Sequence, residues 1–98
     1  MAAQTERSFP IAGVCGIPVT AKAVSLNVTV TAPSADGYVR LFPAGAPVSL
    51  TSALNYRAAQ TRANNNLAGL GTGGQITVRC DQPAGSVHVI IDANGYFE

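Results

Sequence analysis

The side chains able to do chemistry in this 98-residue chain are few: one histidine, two cysteines and five carboxylates. A Ser/His/Asp hydrolase needs its histidine within hydrogen-bond reach of both a serine and an orienting carboxylate. His88 and Asp92 sit four apart on an alternating stretch. That spacing puts them on one face of a strand but about 13 Å apart, so they form no dyad. A triad would need a serine and a different carboxylate from other strands, and His88 reads as a hydrogen-bonded or exposed histidine. A zinc site needs three or four clustered ligands, against one histidine and two distant cysteines here. Asp36, Asp81 and Asp92 are isolated in or near turns and read as turn caps, with no D-x-D calcium loop. Gly71-Thr72-Gly73-Gly74 precedes a strand pattern and no helix, so it reads as a turn and no phosphate cradle. The expectation is a non-enzyme with no metal and no cofactor.

Cys15 and Cys80 leave two readings open. In an oxidising compartment they pair as a disulfide, whose long loop would contribute about 4 kcal/mol in the chain-entropy model. Otherwise they are two buried free thiols. The scarce charge and Ser/Thr/Asn-rich strands favour the disulfide, and that is the expectation.

The elements that must position these residues are strands. From Ala23 to Thr31, Val24, Leu26, Val28 and Val30 alternate with Ser25, Asn27, Thr29 and Thr31, the pattern of a half-buried strand. Pro33 to Gly37 is a turn. Gly37 to Phe42 predicts a second strand with Val39 and Leu41 inward and Tyr38, Arg40 and Phe42 outward. Pro43 to Pro47 breaks it, and Val48 to Tyr56 is a weaker strand. Ala58 to Leu70 contains helix-favouring alanines, but Asn64-Asn65-Asn66 argues for strand and loop. Ile76, Val78 and Cys80 alternate with Gln75, Thr77 and Arg79, which turns Cys80 inward. Asp81 to Gly85 predicts a five-residue hairpin loop. Ser86 to Asp92 is the most apolar strand, with Val87, Val89 and Ile91 on one face and His88, Ile90 and Asp92 on the other. Asn94-Gly95 has too little chain after it for a hairpin and predicts a bulge or bend. About seven short strands with glycine and proline turns predict an all-β, single-domain antiparallel β-sandwich, Ig-like or jelly-roll-like, spanning residues 1–98.

Charged residues make up only 11% of the chain, against roughly 25% in an average soluble domain. The six basic residues are scattered singly, which argues against nucleic acid and anionic membrane as partners. No apolar run approaches the roughly 20 residues of a membrane-spanning helix. The first residues lack the basic and apolar regions of a signal peptide. The chain is then either intracellular or a piece of a longer secreted protein.

The strings Arg7-Ser8-Phe9-Pro10-Ile11-Ala12-Gly13-Val14-Cys15-Gly16-Ile17-Pro18, Ala23 to Val30, Gly37 to Pro43, Thr61-Arg62-Ala63-Asn64-Asn65 and His88 to Phe97 together resemble an uncharacterised module of secreted acidobacterial and actinobacterial proteins. The resemblance runs from about Gln4 to the last residue. It implies a secreted or cell-surface location and a module standing alone or in arrays, with no assigned enzymatic activity. Members of that family often carry an earlier Cys-Arg-x-Val-Asp-Thr-Arg-like segment. That segment is not in this chain, which is then either a short variant or one lacking a strand; a missing strand would leave an unpaired sheet edge.

Two functions from different classes follow. The first is a structural or adhesive module that associates with copies of itself, because its outward Ser/Thr/Asn faces lack guarding charges. Its candidate assembly strand is Met1 to Ile11, carrying Phe9 and Ile11. The alternative is a carbohydrate-binding module using Tyr38, Tyr56 and Tyr96 against a surface polysaccharide. Against it, Phe9, Phe42, Phe97 and some tyrosines are expected to fill the core and its ends. A virion or decoration protein is a third reading. Asn27-Val28-Thr29 fits a glycosylation pattern but falls mid-strand, and reads as strand-face chemistry.

Overall fold

A computed structural model describes residues 1–14, 16–48 and 53–98. The strands are β1 (Thr5–Pro10), β2 (Ala23–Thr31), β3 (Gly37–Pro43), β4 (Leu54–Tyr56), β5 (Arg62–Gly69), β6 (Gln75–Asp81) and β7 (His88–Phe97). One 3-10 turn, Thr72–Gly74, precedes β6. All strand pairs are antiparallel, in a four-stranded sheet ordered β1-β6-β3-β4 and a three-stranded sheet ordered β5-β2-β7. The molecule is thus the antiparallel β-sandwich expected, with a four-stranded sheet facing a three-stranded one.

Alternation accounts for the core. Val24, Leu26, Val28 and Val30 of the central strand β2 are fully buried. Each contributes about 1.5–3 kcal/mol relative to exposure. Facing them from the other sheet are Ile76, Val78 and Cys80 of β6, Val39 of β3, and Leu54 and Tyr56 of β4. Phe42 departs from the pattern: its outward side is also buried, next to Thr77, which is itself buried. Phe97, expected to fill an end of the core, is instead exposed.

The Asp81–Gly85 connection is not a hairpin. β6 and β7 belong to different sheets, and the chain arches between them. A five-residue loop is long enough either to reverse within a sheet or to cross the roughly 10 Å between sheets, so length alone does not distinguish the two. The side chain of Gln82 decides it. Buried at 1% exposure, it accepts the Tyr56 hydroxyl at 2.5 Å. Its amide donates to the carbonyls of Ala84 (3.1 Å) and Ser86 (3.4 Å), pinning the arch to the sandwich end.

The Asn64-Asn65-Asn66 run lies within β5, as strand and not helix. Asn64 and Asn66 both donate to the carbonyl of Ala53, at 3.1 and 3.5 Å, and stitch the sheets together along the β4/β5 side. The weak strand expected over Val48 to Tyr56 is observed as Leu54–Tyr56; its residues 49–52 lie outside the described residues. The expected irregularity at Asn94-Gly95 is a β-bulge. Ser25 pairs with Gly95 and Leu26 with Ala93, leaving Asn94 as the extra residue.

Candidate functional site

The candidate residues disperse. Tyr56 is buried in the core, Tyr38 lies on the outer face of the four-stranded sheet, and Tyr96 pairs opposite Val24 near the end of β7. The three tyrosines therefore share no face, and no sugar platform is built from them. His88 and Asp92 are both exposed on β7, four residues apart, as their spacing requires. Among the described residues no group of three or more His, Cys, Asp or Glu side chains could hold a metal ion.

Cys80 is a buried free thiol, with its sulfur 3.8 Å from the Tyr56 hydroxyl. Its expected partner, Cys15, lies outside the described residues. Burial, followed by the hydrogen bond with Cys80, raises the Tyr56 phenol well above its ordinary value.

The N-terminal segment expected to be donated to another copy is occupied at home. Thr5 to Pro10 pairs along β6, from Thr5 opposite Cys80 to Pro10 opposite Gln75. Met1 and Ala2 cross to the other sheet. The Met1 ammonium donates to the Val87 carbonyl at 2.5 Å, and the Val87 amide donates back to Met1 at 2.9 Å. Gln4, at the crossing point, adopts φ 60. Ile11 follows β1 as a buried core residue, so only Phe9 of the two candidate side chains is partly accessible.

This arrangement defines the free edge of β7. Ser86 uses its carbonyl toward Ser34, whereas Val87 uses both backbone groups toward Met1. Antiparallel strands alternate the side to which successive residues point their N–H and C=O groups. Val89 and Ile91 therefore direct theirs to the same side as Val87, where the sheet order leaves no neighbouring strand among the described residues. Below that edge β1 and β7 diverge, opening a groove of about 380 Å³. Phe9, Pro10, Ile11, Val14 and Ile17 form one wall, and Ile91, Asp92 and Ala93 the other. Sequence alternation placed Ile91 inward. It gave no sign that the inward side chains of β1 and β7 would leave a cleft between them.

The outer faces of the two sheets differ in charge. On the four-stranded sheet, Arg40 pairs with both Asp81 oxygens (2.8 and 2.9 Å). Arg79 reaches Asp81 at 3.1 Å and Glu6 at 3.2 Å. On the three-stranded sheet the register aligns His88 with Thr31, Ile90 with Thr29 and Ala63, Asp92 with Asn27 and Asn65, Gly95 with Ser25 and Leu67, and Phe97 with Ala23 and Gly69. Asp92 is the one formal charge in those rows. Leu67, Ile90 and Phe97 stand exposed at 72%, 48% and 55%.

In comparison with known proteins, no family model matches the chain and no curated protein is significantly similar to it. No helix among the described residues is long and apolar enough to cross a membrane.

Proposed function

We propose that the chain is a non-catalytic structural or adhesive module of an exported protein, and that it associates with copies of itself through the free edge of β7. The carrying observation is that β7 is an edge strand whose Val89 and Ile91 backbone groups face no other strand among the described residues, beside the groove lined by Phe9, Ile11 and Ile91. An unpaired edge is a template for another strand, and apolar side chains of the incoming strand gain a groove to fill. β7 is ten residues long and carries no lysine or proline to block such pairing. Exported location rests on the family resemblance of the residue pattern. Support for the non-catalytic reading is that, among the described residues, the His88 side chain makes no hydrogen bond to a serine or a carboxylate.

Sedimentation equilibrium over a wide concentration range tests the reading. Wild type is expected to associate. Ala93→Lys, an exposed groove-wall position, is expected to shift the protein to monomer with little change in thermal midpoint. A wild-type protein that remains monomeric at the highest concentration contradicts the proposal.

A further inference from the structure

We infer that the outer face of the three-stranded sheet is a binding site for a neutral polysaccharide, centred on the cross-strand row Asp92–Asn27–Asn65. The three residues lie directly opposite one another on β7, β2 and β5. Strand spacing makes the row about 10 Å long. The bulge adds a fourth polar side chain. Asn94, expelled from the ladder, turns its amide onto this face and donates to the Asn65 carbonyl oxygen at 3.0 Å. Asn65 in turn donates to the Ser25 hydroxyl at 3.2 Å. Asn65 and Asn94 are thus held in place before any ligand arrives, which lowers the ordering cost of binding.

What these bonds leave open is the recognition set. Asp92 has no hydrogen-bond or ion-pair partner among the described residues, so its carboxylate offers only acceptors. The Asn27 amide makes a single 3.5 Å contact with Thr29 and keeps its carbonyl oxygen free. Sugar hydroxyls both donate and accept, so adjacent hydroxyls of one ring can engage a carboxylate and a neighbouring amide together. Gly95, Ala23, Ala63 and Gly69 keep the surroundings low, while Leu67, Ile90 and Phe97 supply apolar contact for the C–H faces of the rings. The single anion and the lack of a cation in the rows select against acidic polysaccharides. This site uses none of the three tyrosines; it meets the β1/β7 groove at Asp92, which also lines the groove, but its Asn27, Asn65 and Asn94 do not.

The test is amide-resolved NMR titration of the full chain with cello-, xylo-, manno- and chito-oligosaccharides. At least one is expected to shift Ser25 to Thr29, Asn65 and Asp92 to Gly95 together. Asp92→Ala and Asn27→Ala, both on an exposed face, are expected to weaken that binding about tenfold or more without lowering the thermal midpoint. Three outcomes overturn the inference: no shift on this face with any of the four sugars at millimolar concentration, shifts confined to the β1/β7 groove, or equal affinity in both variants. Shifts of the face that follow protein concentration in place of sugar would assign it to a second copy of the chain and also overturn it. Disruption of association by Ala93→Lys with the sugar response retained separates this site from the proposed self-association.

Discussion

Replacing Tyr56 with phenylalanine tests the device that arches the chain from one sheet to the other. The Tyr56 hydroxyl donates to the buried Gln82 side chain at 2.5 Å. Removing it leaves the Gln82 carbonyl oxygen unpaired at a position only 1% exposed. An orphaned buried acceptor costs about 1–3 kcal/mol. A chain of this length has a total stability of about 5–15 kcal/mol, so the loss is a substantial fraction. It corresponds to a fall in thermal midpoint of about 4–8 °C for each kcal/mol. Gln82→Leu alone should cost a similar amount, since it strands the phenol and the Ala84 carbonyl. The double variant Tyr56→Phe, Gln82→Leu removes both partners of the short bond and should cost clearly less than the sum of the two single changes. Urea unfolding of the four proteins measures the cycle. Additive losses, or a Tyr56→Phe variant within about 0.5 kcal/mol of wild type, would show that the Gln82 bond does not hold the arch.

Other outcomes follow from the same geometry. Gly85 has φ +82, and a Cβ there would sit 1.9 Å from the Ser34 hydroxyl oxygen, so Gly85→Ala should destabilise by about 1–3 kcal/mol in urea titration. The Tyr56 phenol is raised above its ordinary value near 10. The folded state therefore keeps a proton that the unfolded state releases, and stability present below about pH 10 should fall as pH rises beyond it. Tyr56→Phe should flatten that alkaline slope, and an unchanged slope in the unfolding free energy would refute the assignment. Cys80 is fully buried as a free thiol, so it should ignore a thiol reagent in the native protein and react on unfolding without reductant. No thiol released on unfolding would restore the Cys15–Cys80 disulfide expected from composition.

The strand faces were legible in the sequence because period-two alternation is a local signal. Val24, Leu26, Val28 and Val30, and Ile76, Val78 and Cys80, read inward and lie inward. The Asn94 bulge was legible for a similar reason, since a turn-type dipeptide with almost no chain after it has few other uses. Sheet assignment was not legible, because a loop such as Asp81 to Gly85 serves an arch as readily as a hairpin. The pin that decides it, Gln82 to Tyr56, joins residues 26 apart. The fate of Met1 to Ile11 was hidden likewise: its apolar residues mark a strand but do not say whose sheet it joins. The row Asp92–Asn27–Asn65 depends on register across three strands, and single-sequence spacing carries no register between strands that are distant in the chain.

Hydrogen exchange at the Val89 and Ile91 amides tests the central claim most directly. Both N–H groups face the free edge of β7, so in dilute solution they should exchange far faster than the amides of the central strand β2. Self-association through that edge should protect them progressively as protein concentration rises, while Ala93→Lys leaves them fast throughout. Rapid exchange at these two amides in the associated protein, or an association that protects other residues and spares β7, would contradict the account.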